Sequence, residues 1–272
     1  MANYIKLVQS QAELTSFKAS NDFVTPNVTV IYGDTSVDYN PYVPAPAIEM
    51  VDLGLPSGLK WATMNVGANS VTDAGLYFQW GDTQGYSPDQ IGDGEGQKYF
   101  DWEDYKYAEL DTSGSNGSGS GSGSGEIYYK MTKYNEIDGK TVLEPEDDAA
   151  YQATNGALRM PTEAEINELL NTTYVTNAWV NNYNGSDVNG RLFTSVSNGN
   201  TLFFPALGFC ENDSLVYRGS DGRVWSSSIY PEYSYTEGFA YARQLLFVLG
   251  TGFVGNSYIY RRYGLCVRGV SL

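Results

Sequence analysis

Along residues 242–249, "ARQLLFVL", Leu245, Phe247 and Leu249 alternate with Gln244, Leu246 and Val248. That period of two predicts a strand. One parity must face the core. The other then shows Leu246 and Val248 to the outside, which a plain surface strand avoids. Similar runs recur. "VDLGLPSGLKWATMNVGA" carries apolar segments broken by Gly and Pro turns, "AGLYFQWGD" is an aromatic strand ending at Gly81-Asp82, and "GRLFTSVSNGNTLFFPALGF" reads as a hairpin about Asn198-Gly199. "GRVWSSSIY" starts another strand.

Helical patterning is confined to few places. In "LRMPTEAEINELLN" Thr162 is placed to cap a helix, with Glu165 reaching back to it and Ile166, Leu169 and Leu170 forming one apolar stripe. Glu144, Glu146, Asp147 and Asp148 precede a second short helix, where acids favour the N-terminal end. Helices are few and early and strands dominate late, which predicts an α+β fold.

Residues 1–46 read as a separate docking and linker segment. Ser10 and Glu13 form a capping-box pattern before Leu14 and Phe17, a β-branched run follows, and Pro41, Pro44 and Pro46 make a semi-rigid exit. The main domain is expected over 47–272. Within it the Gly/Ser alternation at 113–125 predicts a flexible loop between "YFDWEDYKY" and "IYYKMTKYN". Natural low complexity and an engineered loop both fit that composition.

The formal net charge of -16 opposes binding to nucleic acid or to an anionic membrane surface. No stretch is apolar enough for membrane insertion, and "MANYIKLVQSQAELTSF" lacks the pattern of a signal peptide. The absence of His removes Ser-His-Asp and Cys-His catalysis. Cys210 and Cys266 either pair or stay buried and reduced. No cofactor is expected. Calcium is a weak alternative at Asp89, Asp93 and Glu95, or at the 144–148 acids. Tyr, at 23 residues, outnumbers Phe, at 11. An amphipathic ring suits half-buried places and interfaces.

"VDLGLPSGLKWATMNVGA", "YFQWGD", "LRMPTEAEINELL", "LFFPALGF", "VWSSSIY" and "YGLCVRGV" occur in this order. Together they resemble the major-paralogous-type domains of Bacteroidota and their phages, in the formylglycine-generating-enzyme-like branch of the C-type lectin fold. The resemblance covers roughly residues 48–272. An enzymatic branch of that family holds copper with two cysteines a few residues apart near the C-terminus, and here Cys266 stands alone in that neighbourhood. The resemblance therefore implies a non-enzymatic variable protein of a diversity-generating retroelement. Its hypervariable, ligand-binding surface would comprise Tyr230, Tyr233, Tyr235, Arg243, Leu246, Val248, Phe253, Tyr258, Tyr260, Arg262 and Tyr263. Trp225, Arg261, Gly264, Val267 and Arg268 sit at the family's constant places, and Arg261 and Arg268 are expected to pair with buried carboxylates or loop carbonyls. The implied setting is a phage tail that binds a bacterial surface protein or glycan receptor, attached to the virion through the N-terminal segment. Such proteins are often homotrimers. A bacterial cell-surface adhesin is the alternative, and an enzyme of the formylglycine-generating type ranks below both.

Overall fold

A computed structural model describes residues 4–8, 28–32, 48–110, 129–231 and 240–272. The Ser10–Glu13 capping pattern, the three linker prolines, the 113–125 loop, Tyr233 and Tyr235 lie outside the described residues. The chain divides into two units, Met1–Ala47 and Ile48–Leu272. In the first, β1 (Tyr4–Val8) and β2 (Val28–Tyr32) pair in parallel.

The second unit is mostly β-sheet with few helices. It opens with β3 (Met50–Asp52), β4 (Lys60–Asn65), β5 (Tyr77–Phe78), β6 (Ala108–Leu110), β7 (Tyr129–Met131) and β8 (Leu158–Arg159). Two short helices flank β8: α1 (Ala149–Ala153) and α2 (Glu163–Leu169). Then come β9 (Val175–Val180), β10 (Gly190–Ser195), β11 (Thr201–Pro205), β12 (Phe209–Glu211) and β13 (Ser214–Val216). The last five strands are β14 (Asp221–Ile229), β15 (Tyr241–Val248), β16 (Val254–Tyr260), β17 (Leu265–Cys266) and β18 (Arg268–Ser271). With β3, β4, β5 and β8 they build two sheets, one ordered β16-β15-β14-β17-β5 and one ordered β3-β4-β18-β8.

The local signals act as their chemistry requires. Thr162 N–H donates to Glu165 at 2.7 Å while Glu165 N–H donates to Thr162 Oγ1 at 3.4 Å, closing the box that starts α2. Asp148 accepts from Tyr151 N–H and caps α1. β10 and β11 pair antiparallel across a turn in which Gly199 takes φ +75°, a backbone only glycine adopts at ease.

The five-stranded sheet has apolar clusters on both faces, so its strands cannot read as a simple alternation. Trp225, Ala242 and Ile259 enter one cluster with Trp80, Tyr105 and Tyr134. Val224, Leu245 and Phe247 enter the other with Trp61, Phe193, Phe204 and the α2 residues Ile166 and Leu169. A smaller cluster holds Tyr77, Phe100, Cys210 and Cys266. Both cysteines are free and buried. Burial pushes both thiols up, Cys266 to about 12, so they are protonated and unreactive at neutral pH.

Arg268 is fully buried between the sheets. Its Nε donates to Asn65 Oδ1 at 2.9 Å and Nη1 donates to the carbonyls of Ala62, Thr63 and Phe203. Its guanidinium lies 4.5 Å from the centre of the Phe204 ring. Carbonyls and a ring face, rather than a carboxylate, hold this charge. Burial pulls its pKa down to about 9, still above neutrality.

Trp225 is fully buried and its Nε1 donates to Phe78 O at 2.8 Å. Trp225→Ala is expected to lower stability by about 3–5 kcal/mol, through the cavity and the orphaned carbonyl. Urea unfolding followed by tryptophan-independent far-UV dichroism measures it.

Candidate aromatic binding surface

β15 and β16 form the hairpin at one edge of the five-stranded sheet, and their register assigns every side chain to a face. Tyr241 stands opposite Tyr260, Arg243 opposite Tyr258, Leu245 opposite Asn256 and Phe247 opposite Val254. Directly opposed residues share a face. Along this face the hairpin is seated on the α2 side by Leu245 and Phe247, while Tyr241, Arg243, Tyr258 and Tyr260 extend past that cluster. The opposite face is seated at the other end, by Ala242 and Ile259. There Leu246 and Val248 extend past the apolar support. Each face is thus core at one end and surface at the other.

The first surface is a strip of rings. Tyr230 stacks on Tyr258 with centroids 4.0 Å apart, Tyr258 meets Tyr241 edge-on at 5.2 Å, and Tyr241 stacks on Tyr260 at 4.5 Å. Trp102 continues the strip, edge-on to Tyr260 at 6.1 Å. Tyr258 is 42% exposed and the others are half-buried. Arg243 lies 4.4 Å from the Tyr230 ring centre and pairs with Glu163 at 3.0 Å. Asn256 donates to Glu163 and to Asn167, which ties the strip to α2. Offset and edge-on ring contacts add about 0.5–1.5 kcal/mol per pair beyond burial, so the rings fix one another.

The second surface is apolar. Leu246, Val248, Thr251, Gly252 and Phe253 line an open depression of about 550 Å³. Phe253 is 44% exposed and its ring covers Gly255, where a Cβ would come within 2.8 Å of it. The described hairpin residues of the surface expected from the sequence are therefore divided between the two faces of the hairpin.

Tyr263 departs from the expectation. Only 8% of it is exposed, it packs in the Trp225 cluster, and its hydroxyl donates to Glu211. Burial and that hydrogen bond both push its pKa up. The turn after β16 swings this ring inward, so it supports the strip from beneath. Arg262 is half-buried, donating to Phe100 O and Asn212 Oδ1 with its guanidinium 4.5 Å from the Tyr263 ring centre. Gln244 is buried, and its Nε2 donates to Tyr258 O at 3.3 Å. Tyr241 and Trp102 complete the strip although sequence reasoning omitted both. Tyr241 alternates with Arg243 and could have been found from that period, whereas nothing local marks Trp102.

Arg261 fixes the base of the strip. Its Nε donates to Tyr241 O and Nη1 to Tyr134 O, and its guanidinium lies 4.8 Å from the Trp80 ring centre. Those two donors serve carbonyls, as donors of Arg268 do. Tyr134 holds φ +57°, an uncommon conformation for a bulky residue. A knot of charges holds it there: Tyr134 Oη donates to Asp147 at 2.6 Å, and Lys133 Nζ pairs with Asp147, Glu144 and Glu146 at 2.6, 2.7 and 3.4 Å. Lys106 also pairs with Asp147, and Lys140 with Glu144. Among the described residues these three carboxylates alone converge at metal-ligand spacing, and lysine ammonium groups neutralise them. Asp89, Asp93 and Glu95 are not brought together in this way; Asp89 accepts from Ser87 Oγ at 2.6 Å. Burial opposes charge on Asp147, but hydrogen bonds from Lys133, Tyr107, Tyr134 and Lys106 outweigh it and hold the carboxyl well below its ordinary range. Lys133 and Lys140 hold Glu144 down to about 2.

Among the described residues no helix is long and apolar enough to cross a membrane. Comparisons with protein-family models, with curated proteins and with solved structures find no match for this chain.

Three outcomes are expected. Tyr263→Ser should lower stability by about 3 kcal/mol or more, as for other buried aromatic truncations, whereas Tyr258→Ser should cost about 1 kcal/mol, for the two ring contacts it gives up at an exposed position; chemical denaturation separates them. The Asp147 and Glu144 carboxyls have depressed folded-state pKa values, so their stabilisation is complete above the ordinary carboxylate range and is lost on acidification. The melting temperature should fall as pH drops from about 4.5 toward 2. Lys133→Met should lower it at neutral pH and flatten that acid limb.

Proposed function

We propose that this chain is a binding protein that presents the β15–β16 hairpin to a receptor, on a scaffold of the C-type lectin type in its formylglycine-generating-enzyme-like form. The observation that carries this reading is the ring strip itself. Tyr230, Tyr258, Tyr241 and Tyr260 stack along one edge of a sheet whose two faces are otherwise packed. Tyrosine offers large contact area, few rotors and a polar tip, and is the recurrent residue of antibody binding loops. A backbone held by two cores tolerates exchange at Tyr258, the most exposed of these rings, whose ring contacts are to other members of the strip.

Motif order supports the finer assignment to a variable protein of a diversity-generating retroelement. The receptor is a bacterial surface protein or glycan, the particle a phage tail, and the Met1–Ala47 unit the attachment to it, with a homotrimer as the assembly. We read the chain as a binder and not as an enzyme, since its two cysteines are neutral, buried thiols.

The test uses the full chain against whole bacterial cells and a glycan array. Tyr230→Ser with Tyr258→Ser is expected to abolish capture, at about 2 kcal/mol or more for each anchor ring, with an unchanged fold by circular dichroism. Capture that survives the double substitution contradicts the proposal. Sequencing the same locus in several isolates gives a second check. Differences should concentrate at Tyr230, Arg243, Leu246, Val248, Phe253, Tyr258 and Tyr260; an even scatter along the gene counts against it.

A further inference from the structure

β16 is the outermost strand of its sheet, with β15 on one side. Two flanking hydrogen bonds fix where its backbone groups point. Arg261 N–H donates to Ala240 O at 2.9 Å and Val248 N–H donates to Phe253 O at 2.8 Å. Both pairs continue the β15–β16 register, and in an antiparallel ladder hydrogen-bonded pairs recur at every second residue. Gly255, Ser257 and Ile259 therefore bond toward β15. The N–H and C=O groups of Val254, Asn256 and Tyr258 point the other way, out of the sheet. Among the described residues no backbone group beyond β15 pairs with those three. The Gln244 side chain reaches one of them, Tyr258 O.

Proteins normally blunt such an edge with proline, charge or a bulge. The strand Val254–Tyr260, VGNSYIY, contains no proline and no charged residue, and its pairing with β15 shows no register shift.

We infer that the β16 edge is a docking lane for an extended segment of a partner polypeptide, an inference that rests on the binding reading above and names its ligand class. Donors and acceptors alternate along the edge at a spacing that another extended backbone matches. A strand added there sends its side chains alternately to the two faces of the sheet. One set meets the exposed Tyr258 ring on the strip side. The other set meets the depression at Leu246, Val248 and Phe253. Two surfaces that no flat ligand touches together thus become the two walls of one site. Backbone pairing supplies affinity that is indifferent to sequence, and the flanking side chains supply selectivity. A second copy of this chain is the poorer occupant, because edge-to-edge pairing of two β16 strands closes about a two-fold axis and does not build the homotrimer proposed above.

The test has a probe of known chemistry: short random-sequence peptides displayed and selected on the full chain, then synthesised. In the free protein the amides of Val254, Asn256 and Tyr258 are expected to exchange hydrogen quickly and those of Gly255, Ser257 and Ile259 slowly. A bound peptide should slow the first three. N-methylation of the peptide at one alternate set of residues should weaken binding about tenfold or more, and at the other set hardly at all. Asn256→Pro removes an outward N–H without breaking a bond to β15 and should give a similar loss. Asn256→Ala, which drops the contacts to Glu163 and Asn167 but keeps the N–H, should not. If Asn256→Pro unfolds the protein, the N-methyl series decides.

The lane is overturned if the outward amides are already protected in the free chain, if no peptide is selected, if N-methylation is without effect, or if the chain self-associates through β16. Cell capture that survives Asn256→Pro but fails with the Tyr230 and Tyr258 substitutions removes the lane and keeps the binding surface. Peptide docking that persists while those tyrosine substitutions leave cell capture intact removes the receptor reading and keeps the lane.

Discussion

The placement of one sheet between two apolar clusters governs the rest of the molecule. Trp225, Ala242 and Ile259 go one way; Val224, Leu245 and Phe247 go the other. Apolar burial of this kind is the main favourable term in folding, and here it acts on both faces at once. The clusters are offset along the β15–β16 hairpin. Each face therefore runs off its support at one end, and that end is where the rings or the apolar depression meet solvent.

This offset explains why the strand pattern was only partly legible. The period of two in "ARQLLFVL" correctly separates Leu245 and Phe247 from Leu246 and Val248. It fails at Leu249, which lies in the turn and is 45% exposed. It also cannot say that Tyr258 and Leu246 point to opposite faces, because that follows from a register between two strands. The α2 cap was readable because its chemistry is local, with Thr162 and Glu165 three residues apart. Tyr263 was not: the residue stands among exposed-looking neighbours, and its burial depends on Glu211 and Phe209, far away in sequence. Trp102 joins the strip through tertiary packing alone. Fold class was legible at the level of many strands and few helices.

Electrostatics plays a supporting part with a clear division of labour. The buried guanidinium groups of Arg261 and Arg268 bind carbonyls and ring faces, where a rigid planar fork satisfies several acceptors at once. The Lys133–Asp147 knot holds Tyr134 in its left-handed conformation, and Tyr134 in turn offers the carbonyl that Arg261 grips beneath the strip. Surface side chains can then change without disturbing what positions them.

The most direct measurement is hydroxyl-radical footprinting of the free protein, read by mass spectrometry at individual tyrosines. Tyr258 should be oxidised fast, while Tyr77, Tyr105, Tyr134 and Tyr263 should stay protected. Protection of Tyr258 equal to that of Tyr134 would contradict the account, because the ring strip would then be interior and the hairpin would have no aromatic surface to present.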